Sequence, residues 1–152
     1  MKTKSRSRGI VPVIDSREQR PYRFENSIVR TLPAGDYSIK GYETRVAVER
    51  KTRADAYGSL GRNRGRFERE LRRLADYDYA AVVIESSLPA FLIPPDFSRM
   101  HPKSAVCSLL AWSVSLNLPI FFCGDRAHAR ATTWHLLEKF SRYATEGCIE
   151  RE

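Results

Sequence analysis

Residues 79–84 read YAAVVI, a continuous apolar run without a charged side chain. Such runs are typical of strands that are covered on both faces, in sheets that carry helices on either side. The preceding segment, RFERELRRLADYD from Arg66, places Phe67, Leu71 and Leu74 on one stripe, which predicts an amphipathic helix. A helix followed by a doubly covered strand favours an α/β architecture.

The other predicted elements are short strands near the N terminus and an alternation of strands and helices after them. Strands are expected at residues 10–15, 28–32, 37–39, 45–51 and 119–123, and helices from Thr52, at residues 102–117, and from a cap at Asp125 to about Thr145. Turns at PAGD and KGYE favour hairpins among the first strands. This order predicts one mixed sheet flanked by helices. With 152 residues, 42% of them apolar, we expect a single domain at 10–146 between tails at 1–9 and 147–152.

The charge balance is strongly basic, with 26 Lys and Arg against 18 Asp and Glu and a formal net charge of +8. Twenty of the basic residues are Arg, whose guanidinium groups hold phosphate at two points. This favours a polyanionic partner, with nucleic acid ahead of an acidic membrane surface, although an ordinary Arg-rich surface would look the same.

The sequence contains no apolar run of membrane-spanning length and no secretory signal. We therefore expect a soluble, cytoplasmic protein without membrane contact. It would be associated with the nucleoid in a bacterium or phage and would be nuclear in a eukaryote.

Acidic residues and one lysine gather at predicted strand and turn boundaries, namely Asp15, Glu18, Asp36, Glu49, Lys51 and Asp55. In the strand pattern RVAVERK, Glu49 and Lys51 lie on the same face. A hairpin that places Asp36 beside Glu49 would bring two carboxylates within reach of one Mg²⁺ or Mn²⁺ ion. Lys51 would then contact a phosphate, which is the arrangement of metal-assisted phosphodiester hydrolysis.

This pattern also has a plainer interpretation. The ERK triplet at 49–51 could be a solvated helix face, and Thr52 with Asp55 three residues later is typical of a helix capping box. The chemical interpretation is favoured because the triplet follows VAV in a strand pattern and the Gly-Asp pair at 35–36 precedes it by a hairpin's length.

The same residues resemble the signature of the XPF-type structure-specific endonucleases, in which G-D is followed, after a variable spacer, by E-R-K-x-x-x-D. Here Gly35 and Asp36 are followed by twelve residues and then by ERKTRAD at 49–55. The IDSRE sequence at 14–18 resembles the family's hydrophobic-D-x-R-E element, and RFEREL followed by YAAVVIE resembles its later helix and strand. The similarity covers about residues 10–86.

The resemblance implies a restriction-endonuclease-like core, a divalent metal ion, and cleavage of branched, flapped or junction DNA in repair, recombination or phage DNA processing. By match, Asp36 and Glu49 would be metal ligands and Lys51 the catalytic lysine. Asp15 and Asp55 would be additional acids close to the metal, with Asp15 as a third ligand.

By the same match, Arg17 and Arg50 would position phosphate or order the site. Arg50 receives a supporting role, because it points to the other face of its strand, and Glu18 could simply pair with a nearby Arg. The chain departs from the family in two ways. We expect it to lack the tandem helix-hairpin-helix domain of relatives, and Glu70 stands where many relatives carry Gln.

The missing module moves the expected DNA contacts onto the domain itself. Arg62, Arg64 and Arg66 are the candidates, together with the basic tail at 1–9, because the glycines of GSLGRNRGR predict a mobile Arg-rich loop between helices. Pairing of these arginines with acids of the next helix is the alternative.

The remaining features favour packing over chemistry. The cysteines, Cys107, Cys123 and Cys148, are expected to be reduced and mostly buried, and the three histidines to have ordinary roles. The apolar helix at 102–117 is either fully buried or partly a subunit interface. We expect a homodimer, which would suit a four-way-junction resolvase. The alternative from another class is a catalytically silent DNA-binding module that recruits other proteins.

Overall fold

Six strands form one mixed sheet in the computed structural model, which describes residues 9–147. The strands are β1 (Pro12–Asp15), β2 (Ile28–Arg30), β3 (Tyr37–Ile39), β4 (Val46–Lys51), β5 (Tyr79–Ile84) and β6 (Ile120–Phe122). Their order across the sheet is β2-β1-β3-β4-β5-β6. β3 runs antiparallel to β1 and β4, whereas the β1–β2, β4–β5 and β5–β6 pairs are parallel. The predicted fold class, a single α/β domain around a mixed sheet, is confirmed.

Helices cover both faces of this sheet. They are α1 (Arg53–Leu60), α2 (Arg64–Ala75), α3 (Leu88–Phe91), α4 (Pro102–Ser115) and α5 (Arg126–Thr145). Residues of α1, α2 and α4 pack in one core with Ala47 and Val82, and residues of α5 pack in the other with Val48 and Val83. β5 is therefore buried on both faces, as its apolar run predicts.

The alternation along β4 decides where its polar residues lie. Ala47 faces the core of α1 and α2, and Val48 faces the core of α5. By the period of two, Glu49 follows Ala47 onto the α1 and α2 side, while Arg50 follows Val48 onto the α5 side. The predicted division of the ERK triplet between two faces is confirmed.

One of the predicted hairpins is wrong. β3 and β4 form the expected hairpin, with Tyr37 opposite Val48. β2, however, pairs in parallel with β1, which lies between β2 and β3. The physical reason is burial: all four residues of β1 and all three of β3 are buried, whereas β2 is largely exposed and takes the edge of the sheet.

The predicted mobile loop between the first two helices is also wrong. α1 extends to Leu60 and α2 begins at Arg64, so that only three residues separate them. Gly58 and Gly65 lie inside the helices, where each costs roughly 1 kcal/mol relative to Ala. Burial of Tyr57 and Leu60, each 1% exposed, offsets this cost.

α4 buries only one of its faces, through Ala105, Leu109 and Trp112. Of the two predicted alternatives for this helix, full burial is wrong, because Leu110 and Val114 on the other side are 53% and 85% exposed. Cys107 lies on this exposed side, contrary to the expectation of buried thiols, and Cys123 is partly buried. Cys148 and most of the predicted basic tail lie outside the described residues.

Within residues 9–147, every helix is too short or too polar to cross a lipid bilayer.

Candidate active site

Two carboxylates, Asp36 and Glu49, line a cleft of about 270 Å³ at the end of the β3–β4 hairpin. Asp36 immediately precedes β3, where its N–H donates to the carbonyl of Val48 at 3.0 Å. Its Oδ2 accepts a 2.8 Å hydrogen bond from the N–H of Arg50. Glu49 is only 9% exposed. The structure thus brings together the two acids that the sequence predicts as a pair, in what we call the carboxylate cleft.

Burial raises the pKa of both carboxyls. For Asp36, loss of hydration and the negative charge of Glu18 raise the pKa to about 7, against the opposing hydrogen bond from Arg50 and charge of Lys51. For Glu49, burial and then the charge of Asp36 raise the pKa well above its usual range, and Lys51 opposes the rise. Two neighbouring acids that resist ionisation would be stabilised in their charged form by a divalent cation.

Gly35 fixes the approach of the chain to this pair. Its φ of +75° lies in the left-handed region, and a Cβ at this position would lie 2.8 Å from Cβ of Ala47. Gly35→Ala is therefore expected to destabilise the fold by about 1–3 kcal/mol, measured by urea unfolding. Gly41→Ala is the matched control, because Gly41 has a φ of +92° but no atom within 4 Å of its added Cβ. Equal losses in the two variants would contradict a role for close packing at Gly35.

Lys51 lies beside the carboxylate pair in a second cleft of about 210 Å³, the Lys51 cleft. Its Nζ lies 3.9 Å from Oε1 of Glu49 and donates to Oγ of Ser59 at 3.0 Å. It also lies 4.9 Å from the centre of the Phe67 ring. The lysine side chain is 15% exposed, so it is held in place while its ammonium stays accessible from the cleft.

Asp15 also lines the carboxylate cleft, although both of its oxygens are engaged. Arg17 donates to Oδ2 and Oδ1 at 2.9 and 3.2 Å, and the N–H of Leu32 donates to Oδ1 at 2.9 Å. Arg17 further donates to the carbonyl of Leu32 at 3.0 Å. Asp15 thus connects β1 to the loop before Asp36. Because both of its oxygens already accept hydrogen bonds, Asp15 is less available as a third metal ligand than the sequence predicts.

The other predicted site residues lie in different surroundings. Asp55 lines neither cleft; it is exposed in the first turn of α1, where its N–H donates to Oγ1 of the capping residue Thr52. Arg62 is exposed in the turn between α1 and α2. Arg64 turns towards α4, with its guanidinium 4.8 Å from the Trp112 ring. A helix replaces the predicted loop, and this places these arginines on different sides.

Of the three arginines predicted to bind DNA between the first two helices, Arg66 reaches the site and lines both clefts. It lies 3.4 Å from Glu70, an ion pair that agrees with the alternative of pairing within the helix. Arg73 lines the carboxylate cleft as well and was missed. The spacing of 66, 70 and 73 on one helix face is the sequence signal that could have found it.

A polar network on the opposite face of β4 supports the site. Arg50 donates to Oε1 of Glu85 at 2.7 Å and to Oε2 of Glu18 at 3.3 Å. The hydroxyl of Tyr22 donates to Glu85 at 2.8 Å and that of Tyr37 to Glu18 at 2.9 Å. Burial and the neighbouring Glu85 raise the pKa of Tyr22 and keep it protonated. The supporting role of Arg50 and the pairing of Glu18 with an arginine agree with the sequence interpretation.

Sequence reasoning missed Glu85 and Tyr22 in this network. A signal existed for Glu85, because it directly follows β5, which runs parallel to β4 with Lys51 opposite Ile84. The carboxyl ends of adjacent parallel strands meet at one edge of the sheet. Tyr22 lies in a loop, and its position gives no comparable signal.

Residues 14–133 match the sequence profile of the ERCC4 domain. The chain belongs to the ERCC4 domain family. XPF from Aeropyrum pernix is similar in structure, with a TM-score of 0.69 and 22% identity over 89% of this chain and 67% of that chain. XPF from Aeropyrum pernix in complex with DNA has a TM-score of 0.64 and 24% identity over 91% of this chain and 66% of that chain. No curated protein matches the sequence. The suspected XPF-type resemblance is confirmed, and the matched range contains both clefts.

The donor set of this ERCC4 domain suits a hard divalent cation bound partly by substrate and water. Within residues 9–147, no three His, Cys, Asp or Glu side chains form a ready metal-binding group. Mg²⁺ is often bound by only one or two carboxylates, with water and substrate phosphate as its other ligands. Asp36 and Glu49 meet this requirement, since both are carboxylates, line the same cleft and have a mutual repulsion that a cation would relieve.

The raised pKa of Asp36 predicts how stability of the ERCC4 domain depends on pH without metal. The pKa of Asp36 is about 7 in the folded protein and ordinarily 3.8. The contribution of protonated Asp36 to stability is therefore complete below about pH 4 and is lost as pH rises through 7. In EDTA, raising the pH from 4 to 8 should therefore lower the stability of the wild type relative to that of Asp36→Asn, by on the order of 2–4 kcal/mol. Thermal unfolding at both pH values measures the difference. Parallel stability curves for the two proteins would contradict it.

Proposed function

We propose that this ERCC4 domain is a metal-dependent DNA endonuclease that hydrolyses phosphodiester bonds in branched, flapped or junction DNA. The observation that carries the proposal is the pairing of partly buried Asp36 with buried Glu49 in a cleft rimmed by arginines, with Lys51 3.9 Å from Glu49. A binding surface for DNA has no electrostatic use for such paired acids, because they repel phosphate. With a divalent cation between acids and DNA, the repulsion becomes attraction.

In the proposed reaction, Asp36 and Glu49 would hold Mg²⁺ or Mn²⁺, which would supply polarisation of the phosphodiester and a lower pKa for an attacking water. Lys51 contacts the scissile phosphate and stabilises the negative charge that develops on it. The hydrogen bond that Lys51 donates to Ser59, together with the Phe67 ring, holds the ammonium near that position.

The arginines of the carboxylate cleft would hold the DNA strand. Arg17, Arg66 and Arg73 line the cleft with the four acids Asp15, Asp36, Glu49 and Glu70. The side chains of Arg17 and Arg66 are 67% and 77% exposed, so phosphate groups can reach them while Asp15 and Glu70 hold them in place. Contacts of this kind are independent of sequence and depend on salt. The proposed selectivity therefore concerns DNA structure.

A homodimer is part of the proposal. The exposed apolar residues of α4, Leu110 and Val114, would be buried against a second copy. Two sites related by a twofold axis would match the symmetry of a four-way junction. Cleavage of a symmetric junction at paired positions would favour this resolvase variant.

The experiment is a comparison of DNA structures. Flap, fork, four-way-junction and plain duplex DNA of equal length are incubated with the protein and Mg²⁺, and binding and cleavage are measured separately. We expect cleavage of at least one branched form in preference to the duplex. Binding of branched DNA without any cleavage would overturn the proposal in favour of a catalytically silent DNA-binding module.

A further inference from the structure

The Lys51 cleft adjoins the carboxylate cleft and is not explained by metal binding. Arg66 and Glu70 line both clefts, so that their ion pair at 3.4 Å forms a shared boundary. Lys51, Ser59, Asn63 and Phe67 complete the lining of the Lys51 cleft. A strand of DNA whose scissile phosphate lies between Lys51 and the carboxylate pair would have to continue past this boundary.

The two clefts differ in the sign of their charge. The carboxylate cleft is lined by three arginines and four carboxylates, so its acids outnumber its bases. The Lys51 cleft has two cations, Lys51 and Arg66, and a single carboxylate, Glu70. When its four acids are ionised, the carboxylate cleft has the opposite net charge to the Lys51 cleft, which favours a cation in the first and an anion in the second.

Several hydrogen-bond donors of the Lys51 cleft are available. Asn63 is exposed, and its side chain has no hydrogen-bond partner in the part of the chain that the structure describes. Arg66 is 77% exposed and uses Nε for its contact with Glu70. Ser59, 9% exposed, accepts from Lys51 through Oγ, and its own proton has no acceptor among residues 9–147. Amide, guanidinium and hydroxyl donors together suit the oxygens of a phosphate.

The cleft offers no surface on which a nucleobase could stack. Phe67 is the single aromatic residue in its lining, and it is 2% exposed. The ammonium of Lys51 lies over its ring at 4.9 Å. Base recognition by stacking needs an open aromatic face, whereas contacts to phosphate do not.

We propose that the Lys51 cleft binds the backbone phosphate next to the scissile one, with Asn63 and Arg66 as its donors. Ser59 then holds Lys51 between the two phosphates. This inference rests on the proposed function, since it names the part of the DNA that the same site takes up. It adds Ser59 and Asn63 to the residues that define how the strand lies.

The test measures DNA binding in EDTA, where metal-dependent cleavage does not occur. Wild type, Arg66→Ala, Asn63→Ala and Arg72→Ala are titrated with labelled forked DNA at several salt concentrations. Arg72 is the matched control, because it forms the same kind of pair with Glu68 on α2, at 3.1 Å, but lines neither cleft. The same DNA is also prepared with one methylphosphonate, a neutral phosphate analogue, at each backbone position in turn.

We expect Arg66→Ala to weaken binding roughly tenfold and to lower the salt slope by about one. Asn63→Ala should weaken binding about three- to tenfold with the slope unchanged, and Arg72→Ala should stay within about twofold of wild type. A methylphosphonate at one backbone position should weaken DNA binding by the wild type but should not weaken DNA binding by Arg66→Ala any further. Equal losses in Arg66→Ala and Arg72→Ala, or no position with such coupling, would overturn the inference.

The outcome is independent of catalysis. If the coupling is found but DNA is never cut with Mg²⁺, the proposed function is wrong and the phosphate subsite stands. If DNA is cut but no backbone position is coupled to Arg66, the subsite is wrong and the proposed function stands.

Discussion

Lys51→Ala is expected to slow DNA cleavage by roughly 10²–10³-fold while the protein stays folded. The reason is that a positioned donor to developing negative charge typically contributes this much to a rate. The lysine lies 3.9 Å from Glu49 and lines the cleft beside the carboxylate pair. Single-turnover cleavage of the preferred branched DNA, at saturating protein and Mg²⁺, measures the effect without interference from product release.

Two further variants give this prediction its controls. Lys40→Ala removes a charge from an exposed position after β3, outside the lining of both clefts, and should leave the cleavage rate close to that of the wild type. Lys51→Arg keeps the positive charge but replaces a compact ammonium by a planar group and should restore only part of the rate. A rate for Lys51→Ala close to that of Lys40→Ala would show that Lys51 is not the catalytic lysine.

Arg50→Ala should cause the second large effect, a loss of about 3 kcal/mol in the free energy of unfolding. The variant leaves Glu85 and Glu18, whose side chains are 8% and 14% exposed, without the cation that now lies 2.7 and 3.3 Å away. Arg126, 3.7 Å from Glu85, would relieve only part of that charge. Urea unfolding at pH 7 measures the loss.

Arg72→Ala serves as the control for this loss as well. Its partner Glu68 is 39% exposed and remains hydrated, so the expected change is below about 1 kcal/mol. If Arg50→Ala lost no more stability than Arg72→Ala, the network beneath β4 would not be a support for the site. The side chain of Arg50 also anchors the part of β4 whose backbone N–H donates to Asp36, so cleavage by the folded fraction of Arg50→Ala should fall as well.

The sequence predicts much of the site because β4 carries its own pattern. Alternation places Glu49 and Arg50 on opposite faces, and the Gly-Asp pair before β3 places Asp36 beside Glu49 across one hairpin. These relations depend on local geometry and on a short turn, which sequence spacing determines well. Ser59 and Asn63 join the site because α1 and the turn after it pack beside Lys51, and sequence spacing does not report how these elements pack.

The wrong predictions have a common physical cause. Glycines at 58 and 65 favour a loop by propensity, and turn residues before β3 favour a hairpin with β2. In both places burial decides instead: Tyr57 and Leu60 keep α1 helical, and the buried β1 takes the position beside β3. The arginines predicted to bind DNA on one loop therefore lie in different places. Arg64 packs on Trp112, whereas Arg66 lines both clefts.

In the proposed reaction, Asp36 and Glu49 bind the divalent cation on which DNA cleavage depends. The most direct test is the single-turnover cleavage rate of branched DNA as a function of Mg²⁺ concentration, for the wild type and for Asp36→Asn. The wild type should be inactive in EDTA and its rate should rise to a plateau with Mg²⁺, whereas Asp36→Asn should show no cleavage at any concentration. Cleavage by the wild type in EDTA, or a wild-type rate in Asp36→Asn, would contradict metal binding by Asp36 and Glu49.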